Sequence, residues 1–291
     1  MASTKQHLGF IGLGLMGNPM CLRFIESGYP ITVWNRTESK TADLVDLGAT
    51  SASSPLEVAK NSDIVFLCLT DKAAVREVVF GKNGLTSGKG PSTIVDFSTI
   101  GFRAATELGK KLNDDHKIKY VDAPVSGGVV GATNGTLSIF VGGETNALTE
   151  VRPMLECIGS KIMHMGAIGT GQATKVCNQV MVFNTIVTMA EMLKLAEESG
   201  LPSKELPTIF AGGFANSRIL EVFGGKMASR DETITGKLKV AKKDLDLILS
   251  LGEETNTSLP MSDTAARMIR LAIEKGLGEA DITQLIQLYD N

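Results

Sequence analysis

One short run constrains this chain more than any other: GFIGLGLMG at 9–17, in which Gly12, Gly14 and Gly17 are spaced GxGxxG. A short apolar stretch at 8–12 leads into it, and a helical pattern at 16–27 leads out. Glycines at such a strand-to-helix turn do separate work. The first permits a tight turn, the second lets backbone approach a bound group closely, and the third lets the helix pack against the strand. The helix N-terminus then offers free N–H groups and a positive dipole end, which suits a phosphate. A glycine-rich turn of some other α/β protein has the same spacing, so the surrounding pattern decides between the two.

That pattern is regular. Short apolar runs at 8–12, 31–34, 64–69, 93–97, 120–123, 137–141 and 162–165 read as strands, with helical patterns such as 16–27 and 37–47 between most of them. Strands separated by helices imply right-handed crossovers and a mainly parallel, doubly wound sheet. After Gly171 the rhythm changes. Residues 174–199 read as one long helix, apolar on most faces and ended by Gly200-Leu201-Pro202. Helical stretches follow at 203–211, 216–228, 237–254, 260–275 and 279–289. The expected fold is an α/β Rossmann-like doubly wound parallel sheet followed by an all-α C-terminal domain. The change falls near 166–171, giving domains 1–168 and 169–291, and a chain of 291 residues has ample core for both.

The glycine motif in the first turn of such a sheet points to a dinucleotide, with Gly12, Leu13, Gly14, Leu15, Met16 and Gly17 around its phosphates. The end of the second strand sets the choice of cofactor. An acid there would bond a ribose 2′-hydroxyl, but this strand runs Trp34-Asn35-Arg36-Thr37. Arg36 can pair with a 2′-phosphate, and Asn35 and Thr37 can donate hydrogen bonds to it. NADP(H) is therefore the expected cofactor, with Leu69, at the end of the third strand, also expected to contact it.

Other classes are disfavoured. A net charge of −3 gives no general attraction to nucleic acid or anionic lipid. Cys21, Cys68, Cys157 and Cys177 lie far apart with no CxxC pair, and three sit within apolar runs, so buried free thiols are expected rather than disulfides or a metal site. The best membrane-span candidate, 180–195, is short and broken by Asn184, Glu191 and Lys194. A strand begins by Leu8, which leaves little room for a leader, and a cytoplasmic location is expected.

None of the three histidines, His7, His116 and His164, has an obvious acidic partner, so a His–Asp proton relay is not expected. Two segments stand out instead. Asp122-Ala123-Pro124-Val125-Ser126-Gly127-Gly128 follows a strand, at the sheet edge where ligands bind in doubly wound folds. Ser126 offers a hydroxyl, and Gly127 and Gly128 expose backbone N–H groups to a bound anion. The second segment is GTGQATKVCNQ at 169–179, where Lys175 is expected in the first turn of the long helix with Asn178 and Gln179 on its face. Helix-terminal N–H dipoles and apolar walls there would lower the lysine's pKa. A lysine that merely reaches for solvent at a domain junction would leave the same trace.

Seven motifs occur in order: GFIGLGLMG at 9–17, DFST at 96–99, DAPVSGG at 122–128, GTLSIFVGG at 135–143, GTGQATKVCNQ at 169–179, KKDLDL at 242–247 and KGLGEAD at 275–281. Together they resemble the β-hydroxyacid dehydrogenase family, which includes 3-hydroxyisobutyrate dehydrogenases, tartronate semialdehyde reductases and plant-type glyoxylate/succinic semialdehyde reductases. The resemblance runs from Gly9 to Leu288. It implies an N-terminal Rossmann domain, a C-terminal helical domain and an active site between them. It implies that Lys175 is the general acid/base, that Ser126, Gly127 and Gly128 hold the substrate, and that Asn178 orients it. Lys243 matches a lysine near cofactor and substrate, and Thr99 a cofactor-contacting threonine. Many members carry KxxNN where this chain has Asn178-Gln179, so the role of Asn178 could belong to Gln179. The KxxNQ form and Gly212-Gly213-Phe214-Ala215-Asn216-Ser217 resemble tartronate semialdehyde reductases. Asn35-Arg36-Thr37 resembles the NADP-preferring plant-type reductases, and Gly236 stands where relatives often carry an aromatic residue.

The expected activity is NADPH-dependent reduction of short aldehyde-acids, with a small carboxylate-bearing substrate. The alternative enzyme is a 3-hydroxyisobutyrate-type dehydrogenase working oxidatively. An imine reductase would not need Ser126, Lys175 and Asn178, and a non-catalytic scaffold would not need Lys175. A long helix with so little polar surface also suggests subunit contact, as a homodimer or homotetramer.

Overall fold

A computed structural model describes residues 5–290. The chain forms two compact units, Met1–Lys175 and Val176–Asn291.

The first unit is built on a nine-stranded sheet: β1 (Leu8–Ile11), β2 (Ile31–Trp34), β3 (Thr50–Ser51), β4 (Ile64–Leu67), β5 (Thr93–Asp96), β6 (Lys119–Asp122), β7 (Val125–Ser126), β8 (Leu137–Gly142) and β9 (Gly159–Gly166). Their order is β3-β2-β1-β4-β5-β6-β8-β7, with β9 on β8. From β3 to β6 every pairing is parallel, and the register of β1 places Ile11 between Trp34 and Leu67. β1, β4 and β5 are buried on both faces, which explains the unbroken apolar runs of β1 and β4. β6 marks the change of direction: it pairs antiparallel with β8 through Asp122 and Gly142.

All seven expected strands form. The two additional ones, β3 and β7, have two residues each, too few to show a period. β7 matters, because it places Ser126 opposite Ser138 in an antiparallel pair rather than in a loop after β6. The expected helix at 37–47 is a 3-10 turn, Glu38–Thr41, followed by the short helix Ala42–Asp46. Beneath the sheet, Phe10, Phe24, Phe66 and Phe97 form a buried aromatic cluster, with the Phe24 and Phe66 rings 4.8 Å apart. This cluster seats the helix Gly17–Glu26 behind the glycine turn. Of the cysteines only Cys21 is buried, and desolvation pushes its thiol pKa well up; Cys177 is exposed, because its helical position turns it away from the core-facing Val176.

The helix Thr170–Glu198 begins in the first unit and continues through the second. By length and composition it could cross a membrane, yet its Val176, Phe183, Ile186, Val187, Ala190 and Leu193 are core residues of the second unit, which marks it as a core helix. They pack with residues of Arg218–Ala228, Leu238–Glu254, Pro260–Glu274 and the 3-10 stretch Ile282–Leu288. The only β pairing described in this unit is an isolated bridge between Lys237 and Asp281.

Candidate functional site

The glycine turn has the geometry its spacing predicts. Gly12 adopts φ 102°, and a Cβ there would collide with the carbonyl oxygen of Cys68. A Cβ on Gly17 would overlap the carbonyl oxygen of Gly12. Both glycines are therefore required by the protein's own packing. Gly14 is different: a Cβ on it would meet nothing within 4 Å. No internal contact demands a glycine at 14, whereas a group lying against that backbone, such as a pyrophosphate, would. Leu15 beside it is 63% exposed.

The end of β2 faces this turn. Arg36 and Thr37 are exposed, and no hydrogen bond or ion pair joins Arg36 to another described residue. Asn35 is engaged internally: its Oδ1 accepts the N–H of Leu13 at 3.0 Å, and its Nδ2 donates to the carbonyl of Thr37 at 2.8 Å.

Further along the same sheet, buried polar groups hold the loop after β5 and the start of the long helix. Asp122 at the end of β6 is fully buried, and its two carboxylate oxygens accept the N–H groups of Gly169 at 2.7 Å and Gln172 at 2.8 Å. It thus caps the helix from a strand 47 residues away. Gly171 allows the close approach, since a Cβ there would strike the carbonyl oxygens of Phe140 and Asp122. The side chain of Gln172, also fully buried, accepts from the N–H groups of Ile100 and Gly101 at 2.9 and 3.0 Å and donates to the carbonyl of Ser98 at 2.8 Å. Ser98 in turn accepts the N–H of Leu69 at 2.8 Å, and its own N–H donates to Asp96 at 2.8 Å. Tyr120 completes the set by donating its hydroxyl to Asp96 at 3.0 Å. Burial pushes the Asp96 carboxyl up to about 6, against the downward pull of the Ser98 and Tyr120 bonds. Burial also raises Asp122, opposed by the N–H groups of Gly169 and Gln172. Leu69 and Thr99 are thereby placed by a single buried network.

This capping corrects one expectation. The helix starts at Thr170, four residues before the expected 174, because Asp122 satisfies N–H groups that local sequence leaves open. Lys175 is therefore the sixth helical residue, beyond the first turn, where the terminal dipole has largely faded. Its surroundings are buried, with Lys175 at 9% exposure. Ser126 is half-buried on β7, and Gly127 and Gly128 are exposed with φ of 136° and 62°.

In the second unit, Gln179 is buried and bonded at both ends. Its Nε2 donates to Asp244 Oδ2 at 2.6 Å, and its Oε1 accepts from Asn178 Nδ2 at 3.0 Å. Lys243 pairs with the other oxygen of Asp244 at 3.1 Å. Lys243, Asp244, Gln179 and Asn178 thus form one chain of contacts, with Asn178 less buried than Gln179. Lys237 and Lys239 are paired with Glu279 and Lys242 with Asp246, as expected of a solvated helix face.

Asp96, Ser98, Asp122, Gln172 and Asp244 all stand inside the motifs quoted from the sequence, which assign none of them a role. The available signal was polarity in the wrong place: an acid closing each of the apolar strands β5 and β6.

Residues 7–166 match the family model described as the NAD binding domain of 6-phosphogluconate dehydrogenase, and residues 169–289 that described as NAD-binding of NADP-dependent 3-hydroxyisobutyrate dehydrogenase. The chain is 38% identical to 2-hydroxy-3-oxopropionate reductase of Escherichia coli over 97% of both proteins. It is 32% identical to chloroplastic glyoxylate/succinic semialdehyde reductase 2 of Arabidopsis thaliana, over 96% of this chain and 78% of that protein. Its fold superposes on a crystal structure of 3-hydroxyisobutyrate dehydrogenase from Salmonella typhimurium with a TM-score of 0.90 and 26% identity, covering 98% of this chain and all of the other.

Proposed function

The chain belongs to the β-hydroxyacid dehydrogenase family, an oxidoreductase acting on hydroxyacids with a nicotinamide cofactor, and we propose that it uses NADPH to reduce short aldehyde-acids of the glyoxylate, succinic semialdehyde or tartronate semialdehyde type. The observation that carries the cofactor choice is the end of β2, where no acid stands and exposed Arg36 has no ion pair among the described residues. Thr37 adds a hydroxyl donor beside it. The substrate class draws support from the reductases named above, at 38% and 32% identity.

The bound cofactor supplies a hydride to the carbonyl carbon. The developing alkoxide needs a proton donor within about 3 Å at the moment it forms. We assign that donor to the ammonium of Lys175, which is buried on the long helix. Asn178 lies three residues further along that helix, held by the buried Gln179, and would orient the substrate. Ser126 and the backbone N–H groups of Gly127 and Gly128 would bind the substrate carboxylate. Residues 169–291 are read as the substrate and oligomerisation domain. Met181 and Leu195 on the long helix are 69% and 70% exposed, as faces covered by a second subunit would be.

Initial rates with a panel of semialdehydes and hydroxyacids, each with NADPH and NADH, test the reading. An Arg–phosphate interaction is worth about 1–3 kcal/mol, so NADPH should exceed NADH in kcat/KM by roughly 10- to 100-fold. Succinic semialdehyde should exceed the uncharged aldehyde butanal by about tenfold or more, the effect of one charge-assisted contact. Equal use of NADH would overturn the cofactor assignment. Equal use of butanal would overturn the anion site.

A further inference from the structure

The two hydrogen bonds of Asn35 assign it a task other than contacting a phosphate. Its carboxamide lies one residue past β2 and bonds backbone on both sides, accepting from Leu13 N–H and donating to the carbonyl of Thr37. Leu13 is 2% exposed and sits inside the glycine turn, 22 residues away in sequence. One rigid plane therefore links the turn that faces the pyrophosphate to the segment that carries Arg36.

We propose that Asn35 is a positioning residue for the cofactor: it holds the glycine turn in its binding shape, and so acts on NADPH and NADH alike, while Arg36, with Thr37 beside it, reads the 2′-phosphate. The proposal rests on the assignment of Arg36 made above. The hydrogen-bond inventory explains why asparagine suits the position. The link requires an acceptor and a donor on one short planar group, whereas aspartate offers only acceptors and alanine neither. Without the link, the turn must be ordered by the incoming cofactor, and that ordering lowers affinity whatever stands at the ribose 2′ position.

Dissociation constants for NADPH and NADH separate the possibilities. The chain's only tryptophan, Trp34, adjoins Asn35 and supplies an intrinsic fluorescence signal. Arg36→Ala should weaken NADPH by roughly 10- to 100-fold and leave NADH nearly unchanged, because only the 2′-phosphate contact is removed. Asn35→Ala should weaken both cofactors by the same factor, about tenfold for a lost backbone tie of this kind. Asn35→Asp keeps the acceptor for Leu13 N–H but loses the donor to the Thr37 carbonyl, so it restores only half of the link: NADH binding should fall between that of Asn35→Ala and wild type, while the new charge keeps NADPH weak. A loss confined to NADPH in Asn35→Ala would make Asn35 a phosphate ligand and overturn the proposal, as would unchanged binding of both cofactors. An unchanged NADPH-to-NADH ratio in Arg36→Ala would overturn the Arg36 assignment instead, and the equal loss in Asn35→Ala would still stand.

Discussion

The two functional ends of the first unit's sheet are built by different means. At β1 and β2 the surface proposed for the cofactor is backbone, shaped by glycines whose missing side chains leave room, and tied by the single side chain of Asn35. At β5 and β6 the corresponding edge is filled with buried polar side chains, where Asp96, Ser98, Asp122 and Gln172 bond backbone groups up to 74 residues distant. On the proposed reading, the difference follows from what each end must do. A phosphate brings its own charge and satisfies the N–H groups of the turn on arrival. A proton donor must be held in place before the substrate arrives, since small misplacements are costly to rate, and a buried, fully bonded network supplies that rigidity. The polar end should therefore govern kcat, and the glycine end should govern cofactor affinity.

The largest test of that division is Lys175. Loss of a general acid costs about 10²–10⁴ in rate, so Lys175→Ala should lower kcat by that factor while the dissociation constant of NADPH stays within about twofold. Lys175→Arg should also be poor, since guanidinium does not release its proton in this range. A Lys175→Ala enzyme that keeps more than about a tenth of wild-type kcat would show that another group gives the proton.

A smaller effect is expected one helical turn earlier. Gln172→Ala strands two buried N–H groups and one carbonyl that Gln172 now satisfies. It frees the loop carrying Thr99 and loosens the helix that carries Lys175. We expect kcat to fall by roughly 10- to 100-fold through misplacement, with a smaller loss of NADPH affinity through the freed Thr99 loop. If NADPH affinity falls as far as kcat, the two ends are not separable and the comparison fails. Thermal melts of the same variant distinguish local loosening from general unfolding, because buried unsatisfied groups cost about 1–3 kcal/mol each.

The contrast also explains what could be read from sequence. Gly12, Gly14 and Gly17 lie within six residues, and their spacing encodes the turn locally. The strands are legible because central ones such as β1 and β4 are buried on both faces and so are continuous apolar runs. The start of the long helix was not legible, since it depends on Asp122, a residue 47 positions earlier that becomes a cap only in three dimensions. The same holds for Gln172 and Asp244, whose partners lie 71–74 and 65 residues away. Short strands such as β7 were missed because two residues carry no period.

The smallest expected effect on catalysis, and a test of how the polar end is charged, concerns Asp96. Its carboxyl titrates at about 6 in the fold, against 3.8 as the ordinary value. A folded-state pKa above the unfolded one means that the native protein binds the extra proton, so the ionised form is penalised. That penalty is absent below pH 4, develops as pH rises from 4 to 6, and is complete above 6. At about 1.4 kcal/mol per pKa unit, the shift corresponds to roughly 3 kcal/mol at most. Asn at 96 should remove the penalty without breaking the network. Its Oδ1 can accept the Ser98 N–H, and its Nδ2 can donate to Tyr120, whose hydroxyl can turn from donor to acceptor. Asp96→Asn should therefore be more stable than wild type in urea at pH 8, and the advantage should shrink towards zero at pH 4, with kcat nearly unchanged throughout. A stability difference that is flat with pH would mean that Asp96 titrates near its ordinary value despite burial. A loss of kcat at constant stability would instead place its charge among the groups that serve the reaction.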